Sequence, residues 1–184
     1  MSESITHRRV LKIALPVVLS NATVPLLGAV DTGVVGQLGQ AAPIAAVGMG
    51  SVILLTFYWI FGFLRMGTSG LAAQAHGARD EAEGGAILIR AVLVGLAAGL
   101  GCILLQGELF GAAFALAPAT EEVERLARAY LVIRVWGAPA TIALYAINGW
   151  LIGRERTYGI VLSQVGMNSL NILLSVWFVL FLDW

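Results

Sequence analysis

Twenty consecutive residues from Ala45 to Leu64 carry no charge. A run of that length and character matches the roughly 20 apolar residues a helix needs to cross a bilayer. It recurs along the chain. Ile13 to Val30 is uncharged, and so is Tyr158 to Leu182. With 59% hydrophobic and 12% charged residues, against about 45–50% and 25% in soluble domains, the chain reads as an integral membrane protein. Disorder, nucleic-acid binding and an ordinary cytosolic enzyme are excluded on the same grounds. Eleven basic and eleven acidic residues cancel, so no long-range field steers a polyanion. Neither the one cysteine, Cys102, nor the two histidines, His7 and His76, form a metal or disulfide motif. The first run is too long for the 7–15-residue core of a signal peptide.

Five spanning helices are predicted, at about 10–35, 45–73, 85–106, 127–152 and 158–182. Backbone groups in hydrocarbon must bond within their own segment, which selects helices; the runs do not alternate as barrel strands do. Gly36 to Pro43, Gly77 to Glu81, Glu108 to Thr120 and Gly153 to Arg156 read as joints. Thr120 followed by Glu121, Glu122 and Glu124 reads as a helix start. Six cations (Arg8, Arg9, Lys12, Arg79, Arg154 and Arg156) fall on one side, and two (Arg125 and Arg128) on the other. The N-terminus is therefore placed in the cytoplasm of a multi-pass protein of the inner (plasma) membrane. Gly95 and Gly99 form a small-xxx-small pair suited to close helix approach. No repeat is visible within the five helices.

Polar residues inside the apolar runs mark the candidate site. Asp31 is a carboxylate well inside the first run, where ionisation costs about 2.5–3.5 kcal/mol or more. Such a group is suited to binding H⁺, or Na⁺ where other oxygens complete the shell. Pro16 and Pro25 would kink that helix. In the fifth helix Gln164, Asn168, Asn171 and Ser175, at spacings of four, three and four, share one face. In the fourth, Arg134, Thr141, Tyr145 and Asn148 do the same, extended by Tyr130. Two facing polar stripes predict an aqueous cavity inside the bundle. No catalytic constellation and no phosphate-cradling loop is present, so an enzyme is not expected.

Four stretches in order, "KIALPVVLSNATVPLLGAVDTGVVGQLG", "FGFLRMGTSGLAAQAHGA", "YLVIRVWGAPATIALYAINGWLIGRERT" and "NSLNILLSVWFVL", resemble the N-terminal part of the multidrug and toxic compound extrusion (MATE) transporters, in particular their DinF-like branch. The resemblance implies an all-α polytopic bundle whose five helices form most of one six-helix lobe of a twelve-helix transporter, so that this chain is a fragment lacking its C-terminal lobe. It implies an antiporter exporting organic, often cationic, drugs or toxic compounds by alternating access. H⁺ or Na⁺ would be the coupling ion, with no other cofactor. By the same resemblance Asp31 is the coupling carboxylate and Pro16 the point where its helix bends. Tyr130, Asn148 and Asn171 belong to the polar network around it. Ser175 stands where that branch usually carries a second carboxylate. Gln164, Asn168, Thr141, Tyr145 and Arg134 are expected to line the cavity. The alternatives are a lipid-linked or polysaccharide flippase of the same superfamily, which would use Arg134, and a non-transporting membrane subunit.

Overall fold

A computed structural model describes residues 41–181, together with His7, Leu11, Ala14, Leu15 and Val18. Most of the first predicted helix, Pro16 and Asp31 included, therefore lies outside the described residues, and Leu11, Ala14, Leu15 and Val18 within it are helical. The remaining chain is helical in seven segments: α1 (Ala41–Ile60), α2 (Gly62–Gly77), α3 (Glu81–Leu104), α4 (Gln106–Leu116), α5 (Glu121–Arg134), α6 (Ala138–Gly153) and α7 (Thr157–Phe181). A 3₁₀ turn, Val135–Gly137, links α5 to α6.

Among the described residues three stretches are long and apolar enough to cross a membrane: Ala41–Gly77, Glu81–Leu104 and Glu121–Gly153. They correspond to the second, third and fourth predicted spans, and α7 occupies the place of the fifth. Large apolar side chains point outward, including Trp59 (79% exposed), Met66 (79%) and Leu104 (83%). That surface suits lipid, not water.

The ends of these helices follow from local chemistry. Asp80 caps α3 by accepting the Glu83 N–H at 2.9 Å. Thr120 caps α5 by accepting from the N–H of Val123 at 3.4 Å, with Glu121, Glu122 and Glu124 in the first turn; the sequence signals this start. The segment from Glu108, expected to be a joint, is instead largely helix α4, and the turn shrinks to 117–120. No proline precedes Pro118 in this segment, and Phe110 and Phe114, four residues apart, both bury against the core.

Glycines set the helix contacts. Lipid tails are as apolar as leucine, so association in a bilayer depends on close packing of backbones. α6 lies antiparallel to α3: a Cβ on Gly95 would come within 2.9 Å of Ala143 Cα, and one on Gly99 would overlap Pro139. α6 lies parallel to α2, with Gly149 against Arg65 and Gly153 against Ser69. Away from this glycine-packed region, α1, α4 and α5 meet through side chains. Ala46, Ile53, Leu54, Phe110, Phe114, Ala127 and Leu131 form one buried cluster that continues to Val135, Ala138 and Ile142.

The chain does carry an internal repeat, contrary to the sequence reading. α2 and α6 each have 16 residues. Each follows a break, ends in the same turn and leads into a long helix. Boundaries recur at one fixed offset along the chain: Gly62 with Ala138, Gly77 with Gly153, Glu81 with Thr157. Both turns place a non-glycine residue in the left-handed region, Arg79 (φ 60°) and Glu155 (φ 56°). Both close with the same paired bonds, from the N–H groups of Arg79 to His76 and Asp80 to Ala75, and of Glu155 to Ile152 and Arg156 to Leu151. This is the Schellman arrangement at a helix C-terminus.

The candidate polar site between α6 and α7

α6 and α7 run side by side for part of their length and leave a cavity of about 140 Å³, lined by Thr141, Leu144, Tyr145, Asn148, Ser163, Gln164 and Met167. Four residues singled out in the sequence, Thr141, Tyr145, Asn148 and Gln164, therefore share one wall. Two hydroxyls in it are engaged locally: Thr141 Oγ1 donates to the Gly137 carbonyl at 3.0 Å and Ser163 Oγ to that of Gly159 at 2.8 Å. Further along α7, Asn168 is buried and engaged. The side-chain oxygen of Asn171 is buried without a hydrogen-bond partner among the described residues.

Arg134 and Tyr130 stand elsewhere, at the seam between α5 and α1. The Tyr130 hydroxyl and Ser51 Oγ are hydrogen-bonded at 3.1 Å. The Tyr130 ring passes over Gly50, where a Cβ would approach it to 2.6 Å. The Arg134 guanidinium lies 5.7 Å from the centre of that ring. The predicted stripe assumed an unbroken helix through Arg134 and Thr141. The intervening 3₁₀ turn advances about 120° per residue rather than 100°, so its three residues rotate the two halves apart by about 60°. Tyr58 of α1 packs, partly buried, against the cluster at this seam. Tyr58, Ser51 and Ser163 are not among the residues that the stripes mark. Ser51 and Tyr58, seven residues apart, share a face of α1, a spacing that marks a stripe only weakly in a stretch otherwise so apolar.

Asp31 and Pro16 lie outside the described residues, as does the side chain of Ser175. Among the described residues no three His, Cys, Asp or Glu side chains are placed to hold a metal ion. The cavity wall presents neutral amides and hydroxyls. Such a wall can solvate a cation or an organic ammonium by its dipoles, and it supplies no fixed charge of its own.

At the opposite end of α6 a second cluster fixes the bundle. Trp150 Nε1 donates to the Gly84 carbonyl at 2.7 Å. Arg154, whose side chain is 8% exposed, pairs with Glu81 and stacks 4.8 Å from the Trp150 ring. These contacts place the α2–α3 and α6–α7 turns at the same end of the molecule. Arg90, inside an apolar run, pairs with Glu83 at 3.1 Å and so leans toward that end.

An all-α bundle with membrane-length apolar arms and a polar cavity between two of its helices defines a polytopic membrane protein. The MatE family profile matches residues 16–177, and the chain belongs to that family. It is 38% identical over 168 residues to DNA damage-inducible protein F of Escherichia coli (strain K12), a match covering 91% of this chain and 37% of that protein. It is 28% identical over 166 residues to the probable multidrug resistance protein NorM of Synechocystis sp., covering 90% of this chain and 36% of the relative. To the probable multidrug resistance protein NorM of Deinococcus radiodurans it is 31% identical over 155 residues, covering 79% and 32%. The chain thus spans about a third of the length of these relatives. No solved structure matches it.

Proposed function

We propose that the chain forms most of the N-terminal lobe of a secondary active antiporter. It would export organic, often cationic, drugs or toxic compounds in exchange for H⁺ or Na⁺, and its C-terminal lobe would complete the pathway. The observation that carries this reading is the MatE match over residues 16–177. The names of the multidrug resistance relatives and the neutral polar cavity between α6 and α7 support it.

In this reading the coupling ion enters from outside and binds Asp31. Tyr130, Asn148, Asn171 and Ser175 contribute to the surrounding network, and the first helix bends at Pro16. Thr141, Tyr145, Gln164 and Asn168 face the substrate path, whereas Arg134 stands at the α5–α1 seam. The ion drives transport only if it binds the two arrangements of the lobes unequally. The N-terminus lies in the cytoplasm and the protein in the inner membrane. A flippase would need a cationic cavity, yet the one cation proposed for it, Arg134, rests on the Tyr130 ring and is not part of the wall formed by α6 and α7.

The test is Asp31→Asn in the full-length transporter, with export of a cationic dye measured in cells and membrane insertion measured by fractionation. Loss of export with insertion intact is expected. Unchanged export overturns the coupling role of Asp31.

A further inference from the structure

Each of the three long arms is interrupted once, and the three breaks share one level. In the first, Phe61 (φ −86°, ψ 6°) donates to the Tyr58 carbonyl and accepts from Leu64, each at 3.0 Å. These are tight i→i+3 bonds in place of helical ones. In the second, Leu105 (φ −96°, ψ 10°) separates α3 from α4; four-residue helical bonds still reach it from both sides, Leu105 N–H to the Gly101 carbonyl at 2.9 Å and Leu109 N–H to the Leu105 carbonyl at 3.0 Å, so this break is the mildest of the three. In the third, the turn Val135–Gly137 separates α5 from α6, and Pro139, just beyond it, has no N–H to bond. Phe57, Ile60 and Phe61 line one apolar cavity of about 260 Å³ together with Cys102, Leu105 and Leu109. On another side of α3, Gly99 lies against Pro139. These contacts align the breaks in a single layer across the bundle.

The two sides of that layer are held by different means. Below it, α2, α3 and α6 meet backbone to backbone at Gly95, Gly99, Gly149 and Gly153, with Trp150 and Arg154 fastened to α3. Above it, α1, α4 and α5 meet through the cluster of Ile53, Leu54, Phe110, Phe114 and Leu131. Packing is continuous at Gly99–Pro139 and slack at the cavity beside Phe61. Short 3₁₀ stretches within a helix are common hinge points.

We infer that this layer is a hinge: α1, α4 and α5 tilt as one body on α2, α3 and α6, with Gly99–Pro139 as the pivot and the cavity beside Phe61 as the space that closes. The motion lies within the lobe and is separate from the choice of substrate or coupling ion.

The test places pairs of spin labels on the full-length protein in a cysteine-free background. One pair sits below the layer (Ala78→Cys with Arg156→Cys), one above (Ala45→Cys with Glu122→Cys) and one across (Ala78→Cys with Glu122→Cys). Distances are measured at low and high pH. The first two pairs are expected to give single narrow distances, and the third two maxima. Gly101→Leu puts side-chain volume into the cavity, where a Cβ meets nothing within 4 Å. It should collapse the third distribution to one maximum, and Ala98→Leu should do the same from the neighbouring turn. A crossing pair as narrow as the other two at both pH values overturns the hinge. So does broadening of all three together. Neither readout requires transport, so a failed efflux assay leaves this test decisive.

Discussion

Gly99 of α3 lies against Pro139 of α6 with no side chain between the two backbones. The contact holds α3 to α6 just where the α5–α6 arm is broken. Close backbone approach of this kind replaces the hydrophobic drive that a bilayer does not supply.

Gly99→Ala should therefore destabilise the bundle by about 1–3 kcal/mol, because the new methyl meets backbone, which cannot move aside as a side chain can. Gly101→Ala, two residues further on, meets nothing within 4 Å. It should be neutral or stabilising by up to about 1 kcal/mol through helix propensity alone. Thermal unfolding of both variants in detergent measures the difference, and equal midpoints would contradict the close approach.

The α2–α3 turn carries Arg79 at φ 60°. A side chain in that region costs about 1–2 kcal/mol relative to an unstrained conformation. Glycine escapes this cost and loses part of the gain to its larger unfolded-state entropy. Arg79→Gly should raise stability by up to about 1 kcal/mol, whereas Arg79→Val, branched at Cβ, should lower it by about 1 kcal/mol or more. The ordering Gly, Arg, Val in unfolding temperature is the diagnostic result.

Much of this architecture is legible in the residues, and the parts that are not share a cause. The spans are visible because a charge-free run such as Ala45–Leu64 has only one stable solution in a bilayer. Thr120 announces α5 because a cap and its acids are local chemistry. The break at Phe61 leaves no such mark, since no proline accompanies it. The turn at Val135–Gly137 does have Gly137 and Pro139 nearby, but periodicity alone runs through it and carries Arg134 onto the face of Thr141. α4 is hidden by Glu108 and its small residues until tertiary contact buries Phe110 and Phe114. The repeat is one of geometry: Arg79 and Glu155 share a conformation and no chemistry. At the candidate site, Thr141, Tyr145 and Asn148, at spacings of four and three on α6, line one cavity with Gln164 of α7. The placement of Tyr130 and Arg134 depends on α1, which their own spacing does not contain.

The shared end of the α2–α3 and α6–α7 turns gives the orientation a direct test. Arg79, Arg154 and Arg156 gather at that end, and Arg125 and Arg128 belong to the helix beginning at the other. The rule that cytoplasmic loops hold the excess of Lys and Arg predicts that the first end faces the cytoplasm. Ala78→Cys and Arg156→Cys should react with a membrane-impermeant maleimide only after the cytoplasmic face is opened. Ala119→Cys, in the turn before α5, should react in intact spheroplasts. The reverse pattern inverts the topology.

Water access to the cavity between α6 and α7 is the remaining prediction. Methanethiosulfonate reagents attack the thiolate, which forms only where water reaches the sulfur. Thr141→Cys and Gln164→Cys, on the cavity wall, should be modified in the full-length protein in membranes. Leu162→Cys, on the exposed apolar side of the same helix, should resist, because lipid covers it. An amide and hydroxyl wall inside a membrane persists either by hydrogen-bonding across helices or by facing water. Equal protection of Thr141→Cys, Gln164→Cys and Leu162→Cys would assign the stripes to helix assembly and remove the wet path that the transport reading requires. Rapid labelling of the first two, slowed by a transported cation, would put substrate and water in the same space.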